Sequence, residues 1–142
     1  MKFKYQKIPR SSDPNVPYLG MPLVPIRLYR QQETTLPIYA LLDSGADNVI
    51  LPSGFANALG IEDITVGKLQ PTLGVGGGTA DVYYFDDVEV ELIGDNRKLK
   101  MPIGFAHSKD GRMVPPLLGR TFFAHYKSVS FEQTKETVEL KV

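Results

Sequence analysis

At 142 residues the chain is long enough to form one domain with its own core, and its 42% apolar and 23% charged residues are ordinary for a globular protein. The 16 basic and 16 acidic residues cancel, so the charge gives no reason to expect nucleic acid or an anionic membrane as partner. With no cysteine, disulfides, zinc–thiolate sites and cysteine nucleophiles are excluded.

In chain order, the opening MKFKYQKIPRSSDPN is polar and lacks an apolar leader core, and no later apolar run reaches membrane length. The expected location is therefore cytoplasmic. Residues 9–20, rich in Pro, Ser, Asn and Gly, read as a loop, and 1–21 as an N-terminal arm ahead of a domain over 22–142. PLVPIRLY (22–29) predicts a strand whose prolines suit a sheet edge. LPIYALLD (36–43) is a second strand. DNVILP (47–52) is a third, apolar enough to be covered on both faces. PSGFANALG (52–60) predicts one or two helical turns stopped by Gly60. ITVGKLQPTLG (64–74) is a strand running into the glycine-rich GVGGG (74–78). In 80–94, Val88, Val90 and Leu92 alternate with Glu89 and Glu91, and 97–107 reads as the return strand of a hairpin. SKDGRMVPP is a loop. LLGRTFFAHYK (117–127) predicts a short strand breaking at Gly119 into a short helix, and 128–142 a terminal hairpin. Many short strands, frequent turns and two short helices predict an all-β, closed barrel-like fold.

The chemistry concentrates in LLDSGA (41–46). A rigid strand delivers Asp43 to a tight turn, the Ser44 hydroxyl can hydrogen-bond near the carboxylate, and Gly45 permits close backbone approach. Asp, Ser and Gly are also common turn residues, so the tripeptide alone leaves a plain turn open. His107 and His125 lack ligand spacing, no carboxylate cluster accompanies them, and no metal or cofactor is expected. GVGGG lacks the Gly-Lys-Ser/Thr ending of a phosphate loop. The aromatic residues at 83–85 and 122–123 suit a core better than a base-stacking platform.

The flanks of the tripeptide add a resemblance. Two apolar residues, Asp-Ser-Gly-Ala and a further apolar strand resemble the active-site motif of aspartic proteases, and PLLGRTFF resembles the second motif of the retropepsin family. TLGVGGGTADVYYF lies between them, where that family carries its flap, so the resemblance spans about 22–131. It implies an aspartic endopeptidase with catalytic Asp43 and an active-site loop of Ser44, Gly45 and Ala46. Val75, Gly76, Gly77 and Gly78 would form the flap, and Leu117 a substrate-pocket wall, which core packing would explain equally well. Asp47 would pair with a partly buried Arg120 behind the loop, a pair whose breakage costs about 3–5 kcal/mol when buried. The chemistry needs two carboxylates, and the chain has one such motif. The resemblance therefore implies a homodimer acting on an extended polypeptide with apolar side chains. The alternative is a non-catalytic peptide-binding or scaffolding domain on the same fold.

Overall fold

The structure, a computed structural model, describes residues 1–9, 12–73, 79–107 and 114–142. Its strands begin with β1 (Lys2–Lys4), β2 (Gln6–Pro9), β3 (Tyr18–Met21), β4 (Leu23–Arg30), β5 (Glu33–Thr34), β6 (Ile38–Leu42) and β7 (Val49–Pro52). They continue with β8 (Lys68–Leu73), β9 (Thr79–Phe85), β10 (Glu89–Leu92), β11 (Leu99–Lys100), β12 (Ile103–His107) and β13 (Leu117–Leu118). After the short helix α1 (Arg120–Phe123) come β14 (Ser128–Glu132) and β15 (Thr137–Lys141). Among the described residues no helix is long and apolar enough to cross a membrane.

The main sheet runs in the order β11, β10, β4, β6, β13, β7, β12, β9, β8, with β5 added to β4. The class is all-β, but the closed barrel expected from the strand pattern is not formed. The sheet stays open because its two ends do not pair: β11 is two residues long, and β8 carries Pro71, which has no N–H to offer a further strand. The expected edge position of 22–29 is also corrected. β4 lies inside the sheet, between β10 and β6. Pro25 is tolerated because it sits where the β10 ladder ends, its carbonyl accepting the Ile93 N–H at 2.9 Å.

The alternation in 88–92 places Val88, Val90 and Leu92 fully inside. Only Leu99–Lys100 of the expected return strand pairs with β10; after Pro102 the chain leaves, and β12 instead joins β7 and β9. β7 is buried on both faces as its composition predicts, with Val49 and Leu51 in the main core and Ile50 in a smaller cluster with Val82, Tyr84 and Ala106. Residues 52–60 form two 3₁₀ turns, Ser53–Phe55 and Asn57–Leu59, closed by Gly60 at φ 74°. Residues 64–66 form a third such turn instead of opening a strand, because the Asp63 carboxylate accepts the Thr65 N–H and caps it.

Part of the stretch read as loop is ordered: β3 pairs with β2 as a separate two-stranded ribbon. The terminal hairpin forms, with the Gln133–Lys135 turn between β14 and β15, and β1 pairs on the other side of β15. Val138 and Leu140 carry this three-stranded sheet onto the core.

A charged knot ties the turn after β10 to the segment after α1. Arg97 donates to both Asp95 oxygens, at 2.7 and 2.6 Å, and the Tyr126 hydroxyl donates to the same carboxylate at 2.7 Å. The Asp95 side chain is only 5% exposed. The Arg97 hydrogen bonds hold its carboxyl below the usual carboxylate range, and the Tyr126 bond acts in the same direction. The folded state therefore releases this proton more readily than the unfolded chain. Its stabilisation is present above the unfolded carboxylate value of about 3.9 and is lost as pH falls through the lower folded value. Asp95→Asn is expected to lower stability at neutral pH by about 1–3 kcal/mol and to flatten the acid limb of stability against pH. Urea unfolding across the acid range measures both effects.

Candidate active site

The loop 43–48 connects β6 to β7, and β13 lies between these two strands. Leu117 and Leu118 pair in parallel with Leu41 and Leu42 on one side, and antiparallel with Ile50 and Val49 on the other. Both stems of the loop are thus held by the same two residues. The brace continues into the loop: Asp43 N–H donates to the Leu118 carbonyl at 3.0 Å, and Gly119 N–H donates to Asn48 at 3.1 Å. Arg120 and Thr121 N–H then take the carbonyls of Ala46 and Asp47, each at 2.9 Å. Gly119 is required by space. A Cβ there would meet the Asn48 and Ala46 carbonyl oxygens at 2.5 and 2.6 Å.

Asp43 is half-buried at the end of β6. The donor that orients it is the Gly45 N–H, 2.9 Å from Asp43 Oδ1, within a turn closed by Ala46 N–H on the Asp43 carbonyl. Among the described residues the Ser44 hydroxyl has no hydrogen-bond partner, and its residue is exposed. A cleft of about 520 Å³ opens over the loop. Asp43, Gly45 and Ala46 form one side, with Asp47 and Asn48 beyond them and Leu117 and Ile50 as apolar wall. Across it stands β8, contributing Gln70, Pro71 and Thr72. The expected flap residues Val75, Gly76, Gly77 and Gly78 lie outside the described residues, as do 108–113 of the later loop.

Asp47 and Arg120 are brought together: Arg120 Nη2 donates to Asp47 Oδ1. Their side chains are 71% and 68% exposed, so among the described residues this is a surface pair and not the partly buried one implied by the sequence resemblance. The physical reason is position. α1 starts where the chain emerges from beneath the loop, and none of the described residues covers the pair.

Two residues were not expected at the site: Asn48, and Tyr84, which was read as one of the core aromatics at 83–85 and is buried. Asn48 Nδ2 donates to the Tyr84 hydroxyl at 3.2 Å, joining loop 43–48 to β9 across 36 residues. Burial pushes the Tyr84 hydroxyl up from its ordinary range, while its Asn48 and Thr72 hydrogen bonds pull the other way. The ring lies against β12 where Gly104 leaves room, since a Cβ at 104 would sit 2.9 Å from it. Neither residue belongs to a motif, and only their strand pairing brings them into one cleft.

No protein-family model and no curated protein matches this sequence. The fold, by contrast, has a solved counterpart. An EIAV protease complexed with the inhibitor HBY-793 is similar over 83% of this chain and 93% of its own, with a TM-score of 0.54 and 19% identity. The fold is that of a retroviral protease. At that identity the likeness is one of backbone architecture. Within this retropepsin-like frame, the brace on loop 43–48 and the surface position of Asp47 and Arg120 separate two kinds of stability effect. Gly119→Ala is expected to cost about 1–3 kcal/mol, because backbone oxygens of the loop must move. Arg120→Ala should cost only about 0–1 kcal/mol in the monomer, as for exposed pairs generally. Urea midpoints of both variants at high dilution test the contrast.

Proposed function

We propose that the chain is an aspartic endopeptidase that works as a homodimer, each subunit supplying one Asp43. The observation that carries this reading is a single Asp-Ser-Gly turn, braced from both stems, that holds a half-buried carboxylate at the floor of a cleft of about 520 Å³. A lone carboxylate cannot act as base and acid in one step, whereas two facing carboxylates with one proton between them can. The ionised Asp43 takes a proton from water as the water oxygen attacks the scissile carbonyl carbon. The protonated one gives its proton to the carbonyl oxygen, forming a neutral tetrahedral diol. Collapse returns a proton to the carboxylate pair, delivers another to the departing nitrogen and breaks the C–N bond. The Gly45 N–H orients the Asp43 carboxylate for these transfers.

The substrate is an extended polypeptide. β8 is an edge strand along the cleft, so a peptide can be added to it as a further strand, with alternate side chains entering the cleft. Ile50 and Leu117 suit apolar side chains, and Asn48, Gln70 and Thr72 give the same cleft polar contacts. No metal or cofactor enters this chemistry.

Asp43→Asn is expected to abolish cleavage of an unfolded protein substrate and to leave the circular dichroism spectrum and unfolding midpoint close to wild type. Cleavage within tenfold of wild type, in preparations free of host proteases, would contradict the catalytic role. A dimer that binds peptides with no cleavage at any pH would favour a scaffolding domain instead.

A further inference from the structure

β8 is the wall of the cleft opposite the Asp43 loop, yet among the described residues its only ladder is with β9. From β7, which leaves the loop, the sheet reaches β8 through β12 and then β9, so three ladders separate the two walls. Each step of a sheet adds its own twist. A direct tie between the walls fixes their spacing more firmly than that path does.

Tyr84 supplies such a tie. Its hydroxyl accepts a hydrogen bond from Asn48 Nδ2 of the loop at 3.2 Å and shares another with Thr72 on β8. All three residues line the cleft. Asn48 is itself fixed, because its backbone carbonyl takes the Gly119 N–H at 3.1 Å. The Tyr84 ring is held as well: the residue is 8% exposed and packs with Ile50, Val82 and Ala106. Gly104 of β12 makes the room, since a Cβ there would lie 2.9 and 3.1 Å from two ring atoms. A glycine inside a strand weakens it and marks a close approach. Phenylalanine would fill the same space. What tyrosine adds is the hydroxyl, with one hydrogen-bond partner on each wall of the cleft.

We propose that Tyr84 is a positioning residue, whose hydroxyl sets the distance between the Asp43 loop and β8 and so places the bound peptide against the carboxylates. The proposal rests on the aspartic-endopeptidase reading above. A peptide added to β8 takes its position from that strand, whereas the attacking water takes its position from Asp43. The two must agree closely, because a misplacement of about 1 Å can cost on the order of a hundredfold in rate. Tyr84 acts in this through Asn48 and Thr72 and not by touching the scissile bond.

The test is steady-state cleavage of a peptide spanning one bond that wild type cuts in an unfolded protein. Wild type, Tyr84→Phe, Asn48→Ala and the double variant are compared at concentrations where sedimentation shows all four as dimers. Tyr84→Phe should lower kcat about tenfold or more while KM stays within about threefold. A residue that only supported the fold would lower the unfolding midpoint and leave kcat unchanged below it. In the double variant kcat should fall no more than about twofold below Tyr84→Phe, because both changes cut the same tie. Tyr83→Phe, on the opposite face of β9 and packed against the main core, should keep the wild-type kcat. Wild-type kcat in Tyr84→Phe would overturn the proposal, and so would a loss confined to KM or a double variant in which the two losses multiply. Failure of the underlying reading looks different. A wild type that cleaves nothing, or an Asp43→Asn that cleaves as wild type does, overturns the peptidase and this proposal with it. An inactive Asp43→Asn beside a fully active Tyr84→Phe overturns the positioning role alone.

Discussion

The structure depends on a two-residue strand. Leu117 and Leu118 pair at once with the strand entering the Asp43 loop and the strand leaving it, and Gly119 lets the chain pass against the loop's own carbonyls. A loop between two strands would ordinarily have slack at its mouth. Here the mouth is laced shut by backbone bonds, and the Asp43 N–H is one of them. The carboxylate is thereby delivered by a rigid scaffold, its side chain held by Gly45 N–H. In the proposed mechanism that rigidity would matter, because proton transfer between carboxylates tolerates little misplacement.

The same brace sets a contrast between the two sides of the loop. Everything beneath the loop is packed: Leu118 and Phe122 are fully buried, and β7 is covered on both faces. Above it, among the described residues, lies the cleft faced by β8. Ser44 is exposed, and Asp47 with Arg120 lies in solvent. A loop so firmly supported from behind and so bare in front suits the proposed contact with a second copy.

Much of this was legible in the sequence. The Asp43 turn, the Gly119 break, the doubly covered strand at 49–52 and the alternation at 88–92 each depend on neighbours close in the chain, and local pattern is what composition and periodicity report. What escaped the reading depends on long-range placement. Tyr84 meets Asn48 only because β12 bridges β7 and β9. The prolines of 22–29 suggested an edge, yet Pro25 falls where a neighbouring ladder stops, which is a property of two strands together. The barrel failed to close because of what its end strands lack. The ribbon at 6–21 was hidden by its loop-like composition, although Ile8, Tyr18 and Leu19 are strand formers. The exposure of Asp47 and Arg120 is a fact about what does not cover them.

The central claim, that one site is built from two Asp43 side chains, is tested most directly by mixing subunits. Wild type and Asp43→Asn are co-refolded at fixed total concentration in varying ratio, and cleavage of an unfolded protein is measured. If each dimer needs both aspartates, activity falls with the square of the wild-type fraction, to about one quarter at equal amounts. A fall in direct proportion, to about one half, would mean that each subunit works alone and would contradict the account.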